Sequence, residues 1–557
     1  MRKSSLPKYT GREQAVMILA GIILVLAPWG WAGVVLWTVC ATLGFAVAAL
    51  FAVVAEAEAQ RKAVTVWFVG LLAALIAAGL EGYDLFSFRW LDYVAFPACA
   101  LVGSSISAVL LSRDLTSRPA AEARQELLCS VPFWAGVVLF AYFAIQDFNA
   151  WGVVVDHEAF WAAQGLPGVD PGKFDVRPLP YVRWLPSGLK APFSSTDTSQ
   201  TPMNAWRLMM ILGAPWLLFH ALRHSLRRRR CYVTLAQVSI FAACLIAAFG
   251  LVNRKSTGTI LGFAVPPNAT CFGPFISRNH AGVYFYLHVA LALGLTFWHI
   301  RRMHEGSLNG GPYLVTAFLA FILALFAAFT SSVAAGSIVL ALILVSVPLA
   351  YYFGFPLSSV SRRNIFIVTG AATLVAALSV LSISDLKPIV ERFNFKAKSY
   401  EASGTDDRAP LRRATWALIE AGGWEGRAWV GYGAGSFRWI SPPYQAEEKS
   451  LQRDGRLYFR ADYAHNDWLE MLATWGIIGL LPVIAGLGWL GLRLIDAFRR
   501  GHPETYPLAL VLMLFAVHAS LDLLFWFTPL MFTAAFIIAA MVNFTEQSSA
   551  ARGRGDA

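Results

Sequence analysis

The stretch that decides how this chain is read is ADYAHNDWLEMLATWGIIGLL, Ala461 to Leu481. A charged segment, about 385–463, ends here and an apolar helix begins. His465 and Asn466 stand at the junction, followed by Asp467 and Glu470. The helix needs nothing polar to span a bilayer, so polar groups gathered at one membrane face suggest chemistry at that face. An ordinary helix start, with Asn466 or Asp467 as N-cap, accounts for one of those residues but leaves His465 unexplained.

Working outward, the composition fixes the class. The chain has 557 residues, of which 57% are hydrophobic and only 14% charged, against about 25% charged in a soluble domain. Repeated apolar runs of about 20 residues make it an all-α polytopic membrane protein. The net charge of +11 raises nucleic-acid binding, but the arginines form short clusters between apolar runs. That is the pattern of cytoplasmic membrane loops, so no nucleic-acid partner is expected. Five of the six cysteines fall in or beside spans, and Cys271 in a loop, so neither a disulfide framework nor a CxxC metal motif follows. The basic N-terminus leads into an apolar run too long for a signal-peptide core and reads as retained.

About 14 transmembrane helices (12–14) are expected, near 14–29, 32–54, 63–80, 93–112, 129–147, 204–222, 231–251, 280–300, 312–330, 332–354, 365–384, 467–493, 506–523 and 526–543. Arg61-Lys62, Arg113, Arg118, Arg124, Arg227 to Arg230, Arg301-Arg302, Arg362-Arg363 and Arg499-Arg500 alternate with connections nearly free of Lys and Arg. This asymmetry places both termini in the cytoplasm. The organisation expected is 1–147, N-terminal helices; 148–203, an extracytoplasmic loop rich in proline and aromatics; and 204–384, central helices including the Arg278 junction. A large extracytoplasmic catalytic loop follows at 385–466, then C-terminal helices at 467–543 and a cytoplasmic tail at 544–557.

Within the large loop, DDRAPLRRATWALIEAGG reads as a short amphipathic helix, opened near Asp407 and Pro410 and ended by Gly422-Gly423. Leu411, Thr415 and Leu418 share one stripe, and Arg412 and Trp416 the next. The alternating glycines of WVGYGAGSFRW permit positive φ and close backbone approach. Without a preceding strand in a βαβ unit they are no dinucleotide fingerprint.

This topology brings Arg278, His280, Arg412, Arg413 and His465 to one side of the membrane. Guanidinium groups at a helix mouth, with no acidic cluster for a metal, suit a phosphate or diphosphate, although each arginine alone reads as a surface ion pair or lipid contact. His465 is a candidate general base, since imidazole changes charge nearest neutral pH. His280 is either part of that site or a helix-start contact. His518 and Asp522, one turn apart in the thirteenth span, are either a structural hydrogen-bonded pair or catalytic support. No HExxH, Asp-x-Asp or Cys/His cluster suggests a metal site.

Four stretches, FISRNHAG (275–282), the Arg412-x-x-x-Trp416 helix, VGYGAGSF (430–437) and YAHNDWLEMLATWGIIGLL (463–481), resemble the O-antigen ligase and polymerase superfamily. VHASLDLLFWFTPL, with His518 and Asp522, resembles that family's late His-Asp span, and Arg412-x10-Gly423 the polymerase branch. The resemblance covers about 270–530. It implies a GT-C-like membrane glycosyltransferase in the bacterial inner membrane, metal-independent, inverting and without cofactor, with its active site facing the periplasm. The donor would be a polyprenyl-diphosphate-linked glycan, and the acceptor a glycan, a lipid A core or a protein, among membrane lipids. By position, Arg278 and Arg412 would hold the diphosphate and His465 would deprotonate the acceptor hydroxyl. His280, Arg413, Asn466, Asp522 and His518 would support them.

The sequence departs from the family's usual dozen spans by extra N-terminal helices and by the 148–203 loop, which is placed to shape acceptor choice. The competing class is a lipid-linked glycan flippase or another transporter. It would carry polar residues at the bilayer midplane, broken helices and internal repeats.

Overall fold

Long apolar runs in a bilayer must satisfy every backbone N–H and C=O internally, and a helix does so within one segment. A computed structural model describes residues 9–30, 35–80, 91–112, 120–154, 176–190, 204–253, 259–260, 263–264, 271–304, 311–330, 333–354, 408–453, 456–457, 461–499 and 502–552. The N-terminal helices are α1 (Gly11–Trp29), α2 (Leu36–Val54), α3 (Ala57–Leu80), α4 (Leu91–Ser112), α5 (Ala120–Leu128) and α6 (Val131–Phe148). The central group is α7 (Ala205–Ser225), α8 (Arg229–Asn253), α9 (Arg278–His304), α10 (Gly311–Thr330) and α11 (Val333–Leu349). The last are α12 (Ala409–Ala421), α13 (Asp467–Arg499), α14 (Thr505–His518) and α15 (Thr528–Arg552). Among the described residues ten helices are long and apolar enough to cross a membrane, joined by three shorter apolar ones within α10, α11–Tyr352 and α14. The protein is thus an all-α, multi-pass membrane protein. The expected span at 365–384 lies outside the described residues.

Helices α9 and α15 form the centre, with 89% of each apolar window buried inside the protein, whereas α3 stands at the rim. Since lipid is as apolar as leucine, close contact rather than the hydrophobic effect holds such helices together. Gly44 of α2 shows this: a Cβ there would lie 2.5 Å from the Phe96 carbonyl oxygen of α4.

The two ends of the bundle differ in charge chemistry. At one end the basic clusters meet carboxylates between helices. Glu504, fully buried, pairs with Arg301 at 2.6 Å and Arg229 at 3.6 Å. Glu546 similarly joins Arg223 and Arg493. A buried carboxylate is tolerable only when paired in this way. The other end carries the large connections, held largely by hydrogen bonds to the backbone.

There, α13 does not run straight. As one 33-residue helix it would be about 50 Å long, against about 30 Å of hydrocarbon. It breaks at Gly476, whose φ of 68° and ψ of −179° are open essentially to glycine alone. The part before the break is buried in protein, with Asp467, Glu470, Thr474 and Trp475 all inaccessible. Beyond it the helix runs about 35 Å to Arg499, enough to span, with Leu481, Ile484 and Leu492 facing outward.

The alternating glycines explain the break. Tyr432 N–H donates to the Ala473 carbonyl at 3.1 Å, and Gly433 N–H to that of Thr474 at 2.8 Å. The glycine loop thereby caps the first part of α13, satisfying carbonyls that a helix end leaves open. Gly431, at φ 73°, sits so close that a Cβ would lie 2.2 Å from the Thr474 oxygen. From α6, Gln146 donates to the Val430 carbonyl at 2.6 Å and accepts from Ala434 N–H at 3.1 Å. The Tyr142 hydroxyl lies between the Val430 and Trp475 carbonyls, at 2.7 and 2.9 Å.

The described residues of the expected extracytoplasmic loop, 148–203, contribute a small sheet. Gly152–Val154 pairs antiparallel with Val176–Pro178 and parallel with Leu189–Lys190. Leu189 N–H donates to the Tyr432 carbonyl at 2.8 Å, so this sheet is fastened to the glycine loop.

Candidate functional site

His465 has φ 50°, making it the described non-glycine residue in the left-handed region. Histidine is among the residues that tolerate this conformation. Its flanks explain why it is held. Buried Glu470 accepts from Ala464 N–H at 2.8 Å, just before the turn. Asn466 accepts from Leu469 N–H at 3.0 Å, so Asn466 is the side-chain cap of α13. Farther back, the Gln445 amide brackets Ala461, donating to its carbonyl at 2.8 Å and accepting from its N–H at 2.9 Å.

Asp467, the other capping candidate, has a different task. Its Oδ2 accepts from Leu524 and Phe525 N–H at 2.7 and 3.0 Å, while its own N–H donates to the Ala519 carbonyl at 2.8 Å. These bonds stabilise an interruption between α14 and α15. The span expected at 506–523 accordingly stops as helix at His518, and Asp522 lies in a turn rather than one helical turn along a span.

That turn delivers Asp522 to His465. His465 Nδ1 is 3.3 Å from Asp522 Oδ1. Arg408 lies 2.9 Å from Asp522 Oδ2 and donates to the Leu521 carbonyl at 2.6 Å. Burial would raise the Asp522 carboxyl, but the His465 hydrogen bond and the charges of Arg408 and His280 outweigh it and hold it below the usual carboxylate range. A lowered carboxylate adds stability above its unfolded pKa and loses it only as pH falls through the lowered folded value. Asp522 is therefore an anion throughout the neutral range. An ionised carboxylate only accepts, so Nδ1 carries the proton and Nε2 becomes the basic nitrogen. With its side chain 31% exposed, His465 remains open to a reactant.

His280, on α9, lies in the electrostatic neighbourhood of Asp522, His465 and Arg408. Its ring sits 3.6 Å, centroid to centroid, from Phe527. His518 faces elsewhere: its Nδ1 is 3.3 Å from the Tyr286 hydroxyl. The structure thus joins Asp522 with His465 and leaves His518 to Tyr286.

Helix α12 matches the expected amphipathic helix, with Pro410 in its first turn and Gly422 at its end. Asp406 and Asp407 lie outside the described residues. Leu411, Thr415 and Leu418 are buried, as their shared stripe requires, and Trp416 is exposed. Arg412, half-buried, stands one turn after Arg408 on the same helix face. Arg278, also half-buried, opens α9, whose first-turn N–H groups favour anions as its guanidinium does. Arg413 points away and binds Glu448 at 2.8 and 3.1 Å. It is half exposed, so Arg413→Ala is expected to change stability by less than ~1 kcal/mol and to leave activity unaltered, as thermal unfolding and turnover would record.

Sequence reasoning missed Arg408. Its only signal was a position four residues before Arg412, and its partner lies 114 positions away.

Residues 317–484 match the family model described as O-antigen ligase. This is the superfamily to which the motifs pointed. The matched region runs from α10 past the break in α13, and so includes Arg412, the glycine loop and His465. Arg278, His280 and Asp522 fall outside it, and Asp522 reaches the matched region through its bond to His465. No curated protein matches the chain. Among the described residues no group of three His, Cys, Asp or Glu is arranged to hold a metal ion.

Proposed function

We propose that this protein transfers or polymerises a glycan from a polyprenyl-diphosphate carrier onto an acceptor hydroxyl at the periplasmic face of a bacterial inner membrane. The observation that carries this reading is the His465–Asp522 pair. It is a partly exposed base, inside the region matching the O-antigen ligase family, fixed by a buried anion from outside that region. The gathering of Arg223, Arg229, Arg301 and Arg493, from the short connections and helix ends, at the end away from His465 supports cytoplasmic termini and a site facing outward.

In this reading, His465 Nε2 takes the acceptor O–H proton as the oxygen attacks the anomeric carbon. The bond from that carbon to the diphosphate oxygen breaks on the opposite face, inverting the centre. Asp522 keeps Nδ1 protonated and stabilises the imidazolium that forms, as the third group of a catalytic triad does. Arg408 holds Asp522 in place. Arg278 and Arg412 balance charge on the departing polyprenyl diphosphate. His280 contributes a wall beside the base. The reaction as written needs neither metal nor cofactor.

The test is an assay of purified protein in nanodiscs, supplied with a polyprenyl-diphosphate glycan and EDTA. Separate reactions contain donor alone, core lipid, or a candidate acceptor protein. Lengthening of the donor glycan alone marks a polymerase, and product only with added acceptor marks a ligase. Arg278→Ala and Arg412→Ala are expected to raise the donor concentration needed for half-maximal rate. An unchanged donor dependence in both removes the diphosphate assignment. A folded protein without turnover under any condition overturns the transferase.

A further inference from the structure

The segment Pro180–Trp184 presents a ridge of large side chains. Tyr181 and Val182 are each 41% exposed and Trp184 is 82% exposed, with Arg183 exposed between them and Arg177 nearby. The ridge is held firmly. Asn149, directly after α6, donates to the carbonyls of Val182, Leu185 and Pro186 at 3.0, 3.2 and 3.2 Å and accepts from Val182 N–H at 2.8 Å. Arg427 donates to the Ser187 carbonyl at 2.8 Å while lying over the Trp151 ring at 5.0 Å.

Asn149 also fixes the height of the ridge. Its neighbour Phe148 ends the lipid-facing stripe of α6, is 75% exposed, and meets Trp206 edge-on at 5.6 Å. The ridge therefore continues an aromatic rim at the end of a membrane span. Tyr and Trp collect at this depth because their rings are apolar at one end and polar at the other. Arginine stems lie along apolar surface while their heads reach phosphate.

We propose that residues 180–184 are an interfacial anchor. Tyr181, Val182 and Trp184 enter the headgroup layer of the leaflet on the site's side, with Arg177 and Arg183 towards lipid phosphates. Leu189 joins this ridge to Tyr432, and the glycine loop joins it to α13, so the anchor sets the height of His465 above the lipid. The proposal does not depend on the reaction assigned to the site.

The test places a genetically encoded environment-sensitive fluorophore at position 184 of the full-length protein. The protein is reconstituted in phosphatidylethanolamine–phosphatidylglycerol vesicles carrying quenchers on the headgroup or along the chain. Position 148 serves as the lipid reference and position 416, on α12, as the aqueous one. Quenching at 184 is expected from headgroup and shallow-chain labels, several-fold above that at 416, with weak quenching by aqueous iodide. Iodide quenching equal to that at 416, without lipid quenching, overturns the anchor. Protection that appears only on adding a lipid-linked glycan also overturns it and makes the ridge a glycan platform. Asn149→Ala, which frees the ridge from α6, is expected to broaden the depth profile at 184; an unchanged profile removes Asn149 as the device that sets depth.

Discussion

A His465→Ala protein that folds and inserts is expected to lose about 10²–10⁴-fold in transfer rate, the usual contribution of a general base. Because the arginines remain, donor binding should persist and the loss should fall on kcat. Asp522→Asn is the sharper companion. It preserves volume but allows the amide N–H₂ to face Nδ1, which turns the basic nitrogen inward. A comparable loss in kcat with an intact fold is therefore expected from it. Near-normal turnover in His465→Ala would sink the base assignment, whereas a defect in that variant alone would reduce Asp522 to a structural partner of Arg408.

The second large effect concerns Gly476. Gly476→Ala forces a side chain into a backbone conformation that costs of order 1–3 kcal/mol for non-glycine residues. Its Cβ would also lie 2.4 Å from Gly431 N and from the Trp429 oxygen, both unyielding backbone atoms. The expected outcome is a strongly lowered unfolding temperature in detergent and loss of transfer, because the glycine loop can no longer cap the helix that presents His465. Gly486→Ala supplies the contrast. That glycine lies in the same helix with nothing within 4 Å of a Cβ, and alanine there gains up to about 1 kcal/mol of helix propensity. Equal stability in the two variants would contradict the account of the break.

Much of the site was legible before any coordinates. His465 stood out because capping explained its neighbours and not the histidine. The alternating glycines announced positive φ, but their task was hidden, since the carbonyls they cap lie about forty residues later in the chain. The His518–Asp522 spacing invited pairing within one helix. Instead, Asp467 draws the backbone N–H groups of Leu524 and Phe525 to itself, ends that helix and turns Asp522 towards His465.

The sequence by itself determined the membrane class, the alternation of basic connections and the short amphipathic helix. Each follows from local composition or from a period of a few residues, and bilayer thickness and helix geometry then leave little choice. Tertiary structure alone decided that α13 breaks at Gly476, that Arg408 rather than Arg413 stands behind the candidate base, and that Asp522 is its partner. Those outcomes rest on hydrogen bonds and ion pairs between segments far apart in the chain. Such pairings depend on where whole helices end, and residue spacing carries no record of that.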